Sequence, residues 1–147
     1  MGDTITKDTN PKDAIGISKA PLSTVSVPVM AEVGVAMLEG ALKYGRHNYR
    51  VAGVRASVYY DAAFRHLGAW WEGQDIDPDS GISHITKCIA GLMVLRDSMM
   101  QGNWVDDRPP RVTDTDWLLK LNAKAKELLA KYPTPVLPWT QQRIDGK

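Results

Sequence analysis

The sequence predicts an all-α protein, a helical bundle of about four helices with extended N- and C-terminal arms. Three observations predict it. Apolar side chains recur at three- and four-residue spacing over several windows, the period of a helix with a buried face. Glycines and a proline punctuate those windows at their ends, as helix stops and starts do. No internal repeat is present, and no segment alternates convincingly between apolar and polar residues as a half-buried strand does.

Residues 1–28 are rich in Thr, Ser, Lys and Pro, lack an apolar period, and read as an extended or looping arm with Asn10-Pro11 and Pro21 as local stops. Such an arm is either frayed or laid over the domain or a neighbour. The helical domain is expected over 29–132. Met30, Val33, Met37, Ala41 and Tyr44 mark a first helix over about 29–44, with Pro28 suited to its first turn and Gly45 to its stop. Gly34 and Gly40 inside it each cost roughly 1 kcal/mol relative to alanine. They fit close approach of a helix or ligand, or two tolerated glycines.

Residues 46–56 form a polar, basic connection. A second helix is expected over about 57–72, with Ser57 as N-cap and Gly73 as stop. It is apolar on more than one side, which suits a bundle interior or a subunit interface. Residues 74–81 are an acidic turn, and Asp79 or Ser80 caps a third helix reaching about 100. A loop with two prolines, a fourth helix over about 115–132 and an extended tail over 133–147 complete the chain.

A length of 147 residues suggests one domain with a real core. Lys plus Arg number 18 against 17 Asp plus Glu, so the net charge argues for neither a nucleic-acid polymer nor a membrane as partner. Cys88 is the single cysteine, which excludes an intrachain disulfide and fits a reducing cytoplasm. It is expected to be a packed core residue. No run approaches the ~18–20 apolar residues that span a bilayer, and the polar N-terminus lacks the apolar centre of a signal peptide. Phosphate-binding glycine loops, HExxH and GxSxG are all absent.

The arrangement of carboxylates carries the chemical information. Glu32 and Glu39, seven apart, share one helical face. If the first two helices pack antiparallel, Glu39 and Asp61 converge near the basic connection. Oxygen ligands from two helices suit magnesium or manganese, although helical carboxylates more commonly face water. The run KYGRHNYR (43–50) brings Lys43, Arg46, His47, Asn48 and Arg50 to the same end, with Arg55, Arg65 and His66 following. Ions facing a basic cluster are what triphosphate hydrolysis requires, while basic residues at a helix C-terminus also occur for the dipole alone. Asp75, Asp77 and Asp79 are either ligands or turn residues, the latter favoured for Asp77 and Asp79. His66 and His84 are ligands or general acids, or the structural histidines that lone helical histidines more often are.

Taken in order, NPKDAIG (10–16), EGALKYGRHNYR (39–50), YYDAAFRHLGAWWEG (59–73), DIDPDSGISH (75–84) and DDRPP (106–110) resemble phage dATP/dGTP diphosphohydrolases. These are MazZ-like members of the MazG-like all-α nucleotide pyrophosphohydrolases. The resemblance implies hydrolysis of a purine deoxynucleoside triphosphate, dGTP ahead of dATP, to the monophosphate and pyrophosphate. It further implies nucleotide-pool control and dGMP supply for 2-aminoadenine nucleotide synthesis in a phage. Two or more Mg2+ or Mn2+ ions and a homo-oligomer, dimer or tetramer, are implied as well.

By the same resemblance Glu39 and Asp61 are the catalytic metal ligands, and Lys43, Asn48 and Arg65 are substrate contacts. Lys12 and Lys19 join them if the arm closes over the base or sugar. The family's ExxE and ExxD pairs are not intact, because Ala36 and Val58 stand where partners of Glu39 and Asp61 would be. Glu32, Asp75 and Asp79 are the remaining ligand candidates. The rival expectations are a hydrolase of another nucleotide, such as dUTP, and a non-enzymatic helical scaffold or oligomerisation protein.

Overall fold

A computed structural model describes residues 10–146. The chain divides into two compact units, the first ending at Arg108 and the second beginning at Pro109.

The first unit carries three long helices. Helix α2 (Val27–Tyr44) starts where the Ser26 hydroxyl accepts from the Val29 amide, has Pro28 in its first turn, and ends at Gly45 with φ 92°. Helix α4 (Ala56–Trp71) ends before Gly73, at φ 100°. Helix α5 (His84–Met100) is capped by Ser83, whose hydroxyl accepts from the Thr86 amide. The periodicity, the proline and both glycine stops act as the sequence indicates.

Helix α5 packs most extensively on α4 and next on α2, while α2 and α4 have little direct contact with each other. This corrects the premise that the first two helices are direct neighbours. The buried cluster joins Val33 and Ala36 of α2 to Ala90 of α5, with Met37, Ile82 and Ile89 packed against it. Ala56, Ala63, Cys88 and Val94 are also buried. Most of these side chains are small, so the helices meet closely and large apolar groups remain outside. Tyr60, Phe64 and Trp71 of α4 are among the exposed ones.

Several expectations are corrected. The arm contains a short helix, α1 (Pro11–Gly16), and a single 3-10 turn over Leu22–Thr24. Asn10-Pro11 begins that helix instead of stopping one: the Asn10 side chain accepts from the Lys12 amide, and proline suits the first helical turn. The part of the arm over 1–9 lies outside the described residues. The basic connection holds helix α3 (Asn48–Ala52) and strand β1 (Val54–Arg55).

Short strands are present where none was expected. β1 pairs in parallel with β4 (Trp104–Val105), and β2 (Ile76–Asp77) pairs antiparallel with β3 (Ile82–Ser83), making the acidic turn a hairpin. Two-residue strands are too short to display alternation.

Long-range polar contacts fix the ends of these elements. Ser57 is not the N-cap of α4 but a donor within its first turn. The Asp107 carboxylate accepts from the Ser57 amide at 2.8 Å and from its hydroxyl, with Arg55 3.9 Å away. Those Ser57 hydrogen bonds hold the Asp107 carboxyl below the ordinary range. Gly53 has φ +73°, and a Cβ there would lie 2.7 Å from Asn103 Oδ1 and 2.9 Å from its carbonyl oxygen. The Asn103 amide reaches this close because it donates to the Arg50 carbonyl at 2.9 Å. Arg50 also holds Asp97 through two parallel bonds of 2.9 and 2.8 Å, tying α3 to α5.

In the second unit, helix α6 (Trp117–Lys131) precedes a segment that contains helix α7 (Gln141–Ile144), so the tail is not wholly extended. Arg143 stacks 3.8 Å over Trp139 and donates to the carbonyls of Leu137 and Pro138. No described helix is long and apolar enough to cross a membrane.

Candidate functional site

A cavity of about 740 Å³ opens in the first unit among α2, the start of α3, α4 and α5. That volume suits a drug- or nucleotide-sized ligand. Space comes from small side chains: Ala36 and Gly40 on α2, Ala62 on α4, Gly91 on α5. Polar groups converge from Glu39, Lys43, Asn48 and Lys87. After Gly45 ends α2, His47 takes a left-handed conformation at φ 65°, uncommon outside glycine but better tolerated by histidine than by bulkier residues. This turn starts α3 at once and sets Asn48 in the cavity wall.

Glu39 is the electrostatic centre of the wall. One of its oxygens accepts from Lys87 Nζ at 2.9 Å and from Lys43 Nζ at 3.0 Å. The Lys87 hydrogen bond, then that of Lys43, holds the Glu39 carboxyl below its ordinary range, and Glu39 raises Lys43 in return. Two ammonium groups share one carboxylate, leaving the wall with surplus positive charge before Arg46 is counted. Burial raises Tyr59, so its lining phenol stays protonated near neutral pH.

A second cluster adjoins through α5. His84 lies three residues before Lys87 and therefore on a neighbouring part of the same helical face. His84 Nδ1 is 2.8 Å from His66 Nδ1 of α4, and His84 Nε2 is 2.7 Å from Gln74 Oε1. The hairpin brings Asp77 to the pair, and His66, Asp77 and His84 each offer a ligand atom within 4.8 Å of the others. His84 is buried, and His66 and Asp77 are half-buried. Burial, then the neighbouring His84, lowers the His66 pKa, and the Lys87 charge reaches it too. The donor set of two imidazoles and a carboxylate fits a divalent metal ion.

The structure brings some sequence-predicted residues together and separates others. Glu39, Lys43 and Asn48 line one cavity. Asp61 is exposed and makes no hydrogen bond or ion pair with a described residue. By helical geometry it lies almost opposite Ala63, the buried side of α4. Neither Glu39 nor Asp61 belongs to the histidine–aspartate group, and α5 packs on both of their helices. Arg65 is exposed on the Asp61 side.

Glu32 accepts a hydrogen bond from the Thr86 hydroxyl, a contact that joins α2 to α5. Asp75 contributes its carbonyl to the His84 amide at 3.0 Å, and the Asp79 amide donates to Asp77 Oδ1 at 3.0 Å. Lys12 and Lys19 are exposed and are not among the cavity residues. Reading the sequence missed Gln74 and Lys87, and left Asp77 open as ligand or turn residue with the turn favoured, whereas it is both turn and ligand candidate. It weighed each histidine as a lone one. The available signal was His66 and His84 flanking one acidic turn.

Residues 9–108 match the family described as dATP/dGTP diphosphohydrolase, N-terminal. The chain is 26% identical over 117 residues to a dATP/dGTP diphosphohydrolase of Salmonella phage PMBT28, an alignment covering 80% of this chain. It spans only 37% of that relative's length. No solved structure matches the chain.

Proposed function

The chain belongs to the dATP/dGTP diphosphohydrolase N-terminal family, and from that premise we propose that its cavity binds a purine deoxynucleoside triphosphate and hydrolyses it to monophosphate and pyrophosphate. The observation that carries this reading is the adjacency of a positive cavity wall, Lys43 and Lys87 on Glu39, to the His66–Asp77–His84 group. Polyphosphate needs compact cations around its oxygens, and water needs activation at neutral pH.

In this proposal Lys43, Lys87 and Arg46 receive the phosphate chain, and Asn48 supplies an amide to the sugar or a phosphate. Glu39 holds both ammonium groups in place before the nucleotide arrives. Two or more divalent ions belong to this reading: Mg2+ or Mn2+ would be held by Glu39 beside the triphosphate, and the histidine–aspartate group would hold another. Such ions supply charge neutralisation at phosphoryl oxygens and a more acidic bound water. Water would attack the α phosphorus and displace pyrophosphate, and the lysines would balance the charge on that leaving group.

Asp61 and Arg65 enter the proposal only between copies of the chain. The resemblance implies a dimer or tetramer, and their side of α4 is near exposed Val58, Tyr60 and Phe64. Lys12 and Lys19 belong to it only if the arm moves over the bound nucleotide. We take dGTP as the preferred substrate over dATP, with dGMP supply for 2-aminoadenine nucleotide synthesis and control of the nucleotide pool as the purpose, in the cytoplasm of a phage host. A panel of deoxynucleoside triphosphates, assayed with Mg2+ and separately with Mn2+ for pyrophosphate release, tests the reading. Orthophosphate release, or turnover of dUTP alone, overturns it.

A further inference from the structure

The ligands favoured from the sequence are carboxylates, yet the group that the fold assembles is nitrogen-rich. We propose that His66, Asp77 and His84 form a site for a nitrogen-preferring transition-metal dication, of the Co2+, Ni2+ and Zn2+ class, and that Mg2+ does not fill it. Imidazole favours these ions, whereas Mg2+ favours oxygen donors and retains its waters.

The hydrogen-bond pattern prepares the site. Gln74 Oε1 is an acceptor, so the proton of neutral His84 sits on Nε2. Its Nδ1 is then a lone pair directed at His66 Nδ1, 2.8 Å away. A histidine ligand oriented by a bond from its other nitrogen to a carbonyl oxygen is the usual outer arrangement of a metal site. Two nitrogens about 2.1 Å from a shared tetrahedral ion lie roughly 3.4 Å apart. The observed spacing of 2.8 Å therefore opens by roughly half an ångström on ion entry. On ion entry the His66 proton moves from Nδ1 to Nε2, so both rings stay neutral and each presents Nδ1. Asp77 adds the anionic ligand, held in the hairpin by the Asp79 amide.

The inference shares its residues with the nucleotide reading but is tested without nucleotide, so either can fail alone. The metal-stripped full chain is titrated with Zn2+ in a large excess of Mg2+, followed by calorimetry and by ring-nitrogen NMR of its three histidines. One Zn2+ per chain is expected at this site, with the His66 and His84 resonances shifting, His47 unchanged, and no displacement by Mg2+. Asp77→Asn keeps the carbonyl that Asp79 uses and should weaken Zn2+ at least tenfold, as should His66→Gln. Should His66→Gln fail to fold by circular dichroism, Asp77→Asn and the wild-type histidine spectra decide. Equal competition by Mg2+, unshifted His66 and His84, or unchanged Zn2+ affinity in a folded variant overturns the proposal.

Discussion

Replacing Lys87 by methionine separates a substrate-binding lysine from a merely structural one. Lys87 Nζ sits 2.9 Å from Glu39 Oε1, and its side chain is only 18% exposed. Lys43 bonds the same oxygen at 3.0 Å and remains in the variant, so Glu39 keeps a cation. Methionine preserves much of the length and the apolar stem. The expected stability cost is therefore that of a partly screened ion pair, no more than about 1 kcal/mol. That corresponds to a fall in melting temperature of roughly 2–4 °C or less.

Substrate feels the loss much more. A hydrogen bond from a charged donor contributes about 1.5–3 kcal/mol, which converts to about 10- to 150-fold in kcat/KM. Pyrophosphate release from dGTP, measured beside a thermal melt, provides both numbers. A kcat/KM within about threefold of wild type would refute the assignment, since a charge-assisted phosphate contact cannot be that weak. A large loss that merely tracks unfolding would refute it equally.

Three further outcomes follow from contacts elsewhere. The depressed Asp107 carboxyl contributes stability that is present above the unfolded-state pKa, about 3.9, and lost as pH falls through the lower folded value. Asp107→Ala should lower the melting temperature at neutral pH and flatten its decline below pH ~4, read from melts across that range. Gly53→Ala should cost upward of about 1 kcal/mol for the left-handed backbone alone, and more because Asn103 must give way; chemical denaturation measures it. Asp61→Asn should leave Zn2+ affinity of the isolated chain unchanged, because Asp61 is not among the grouped ligand residues. A tenfold loss in calorimetry would return Asp61 to the ion site.

The long helices were legible because periodicity and punctuation agree along them. Pro28 and Gly45 bracket α2, and Gly73 ends α4. That Glu39 and Lys43 meet was legible because residues four apart share one face of a helix. What failed was spatial order. Periodicity indicates which face a helix buries but not which helix it meets, and α5, third among the long helices, became the common neighbour. That choice brings Lys87 to Glu39 and His84 to His66, pairs separated by 48 and 18 residues. Local chemistry misled at Asn10-Pro11, where the same two residues serve a stop or a start, and left Asp77 open, where a turn carboxylate also joins a ligand group.

Turnover of dGTP in oxygen-18 water, with the label traced by mass spectrometry, tests the central claim most directly. Attack at the α phosphorus predicts one labelled oxygen in dGMP and unlabelled pyrophosphate. Label in pyrophosphate, or release of labelled orthophosphate, would contradict it.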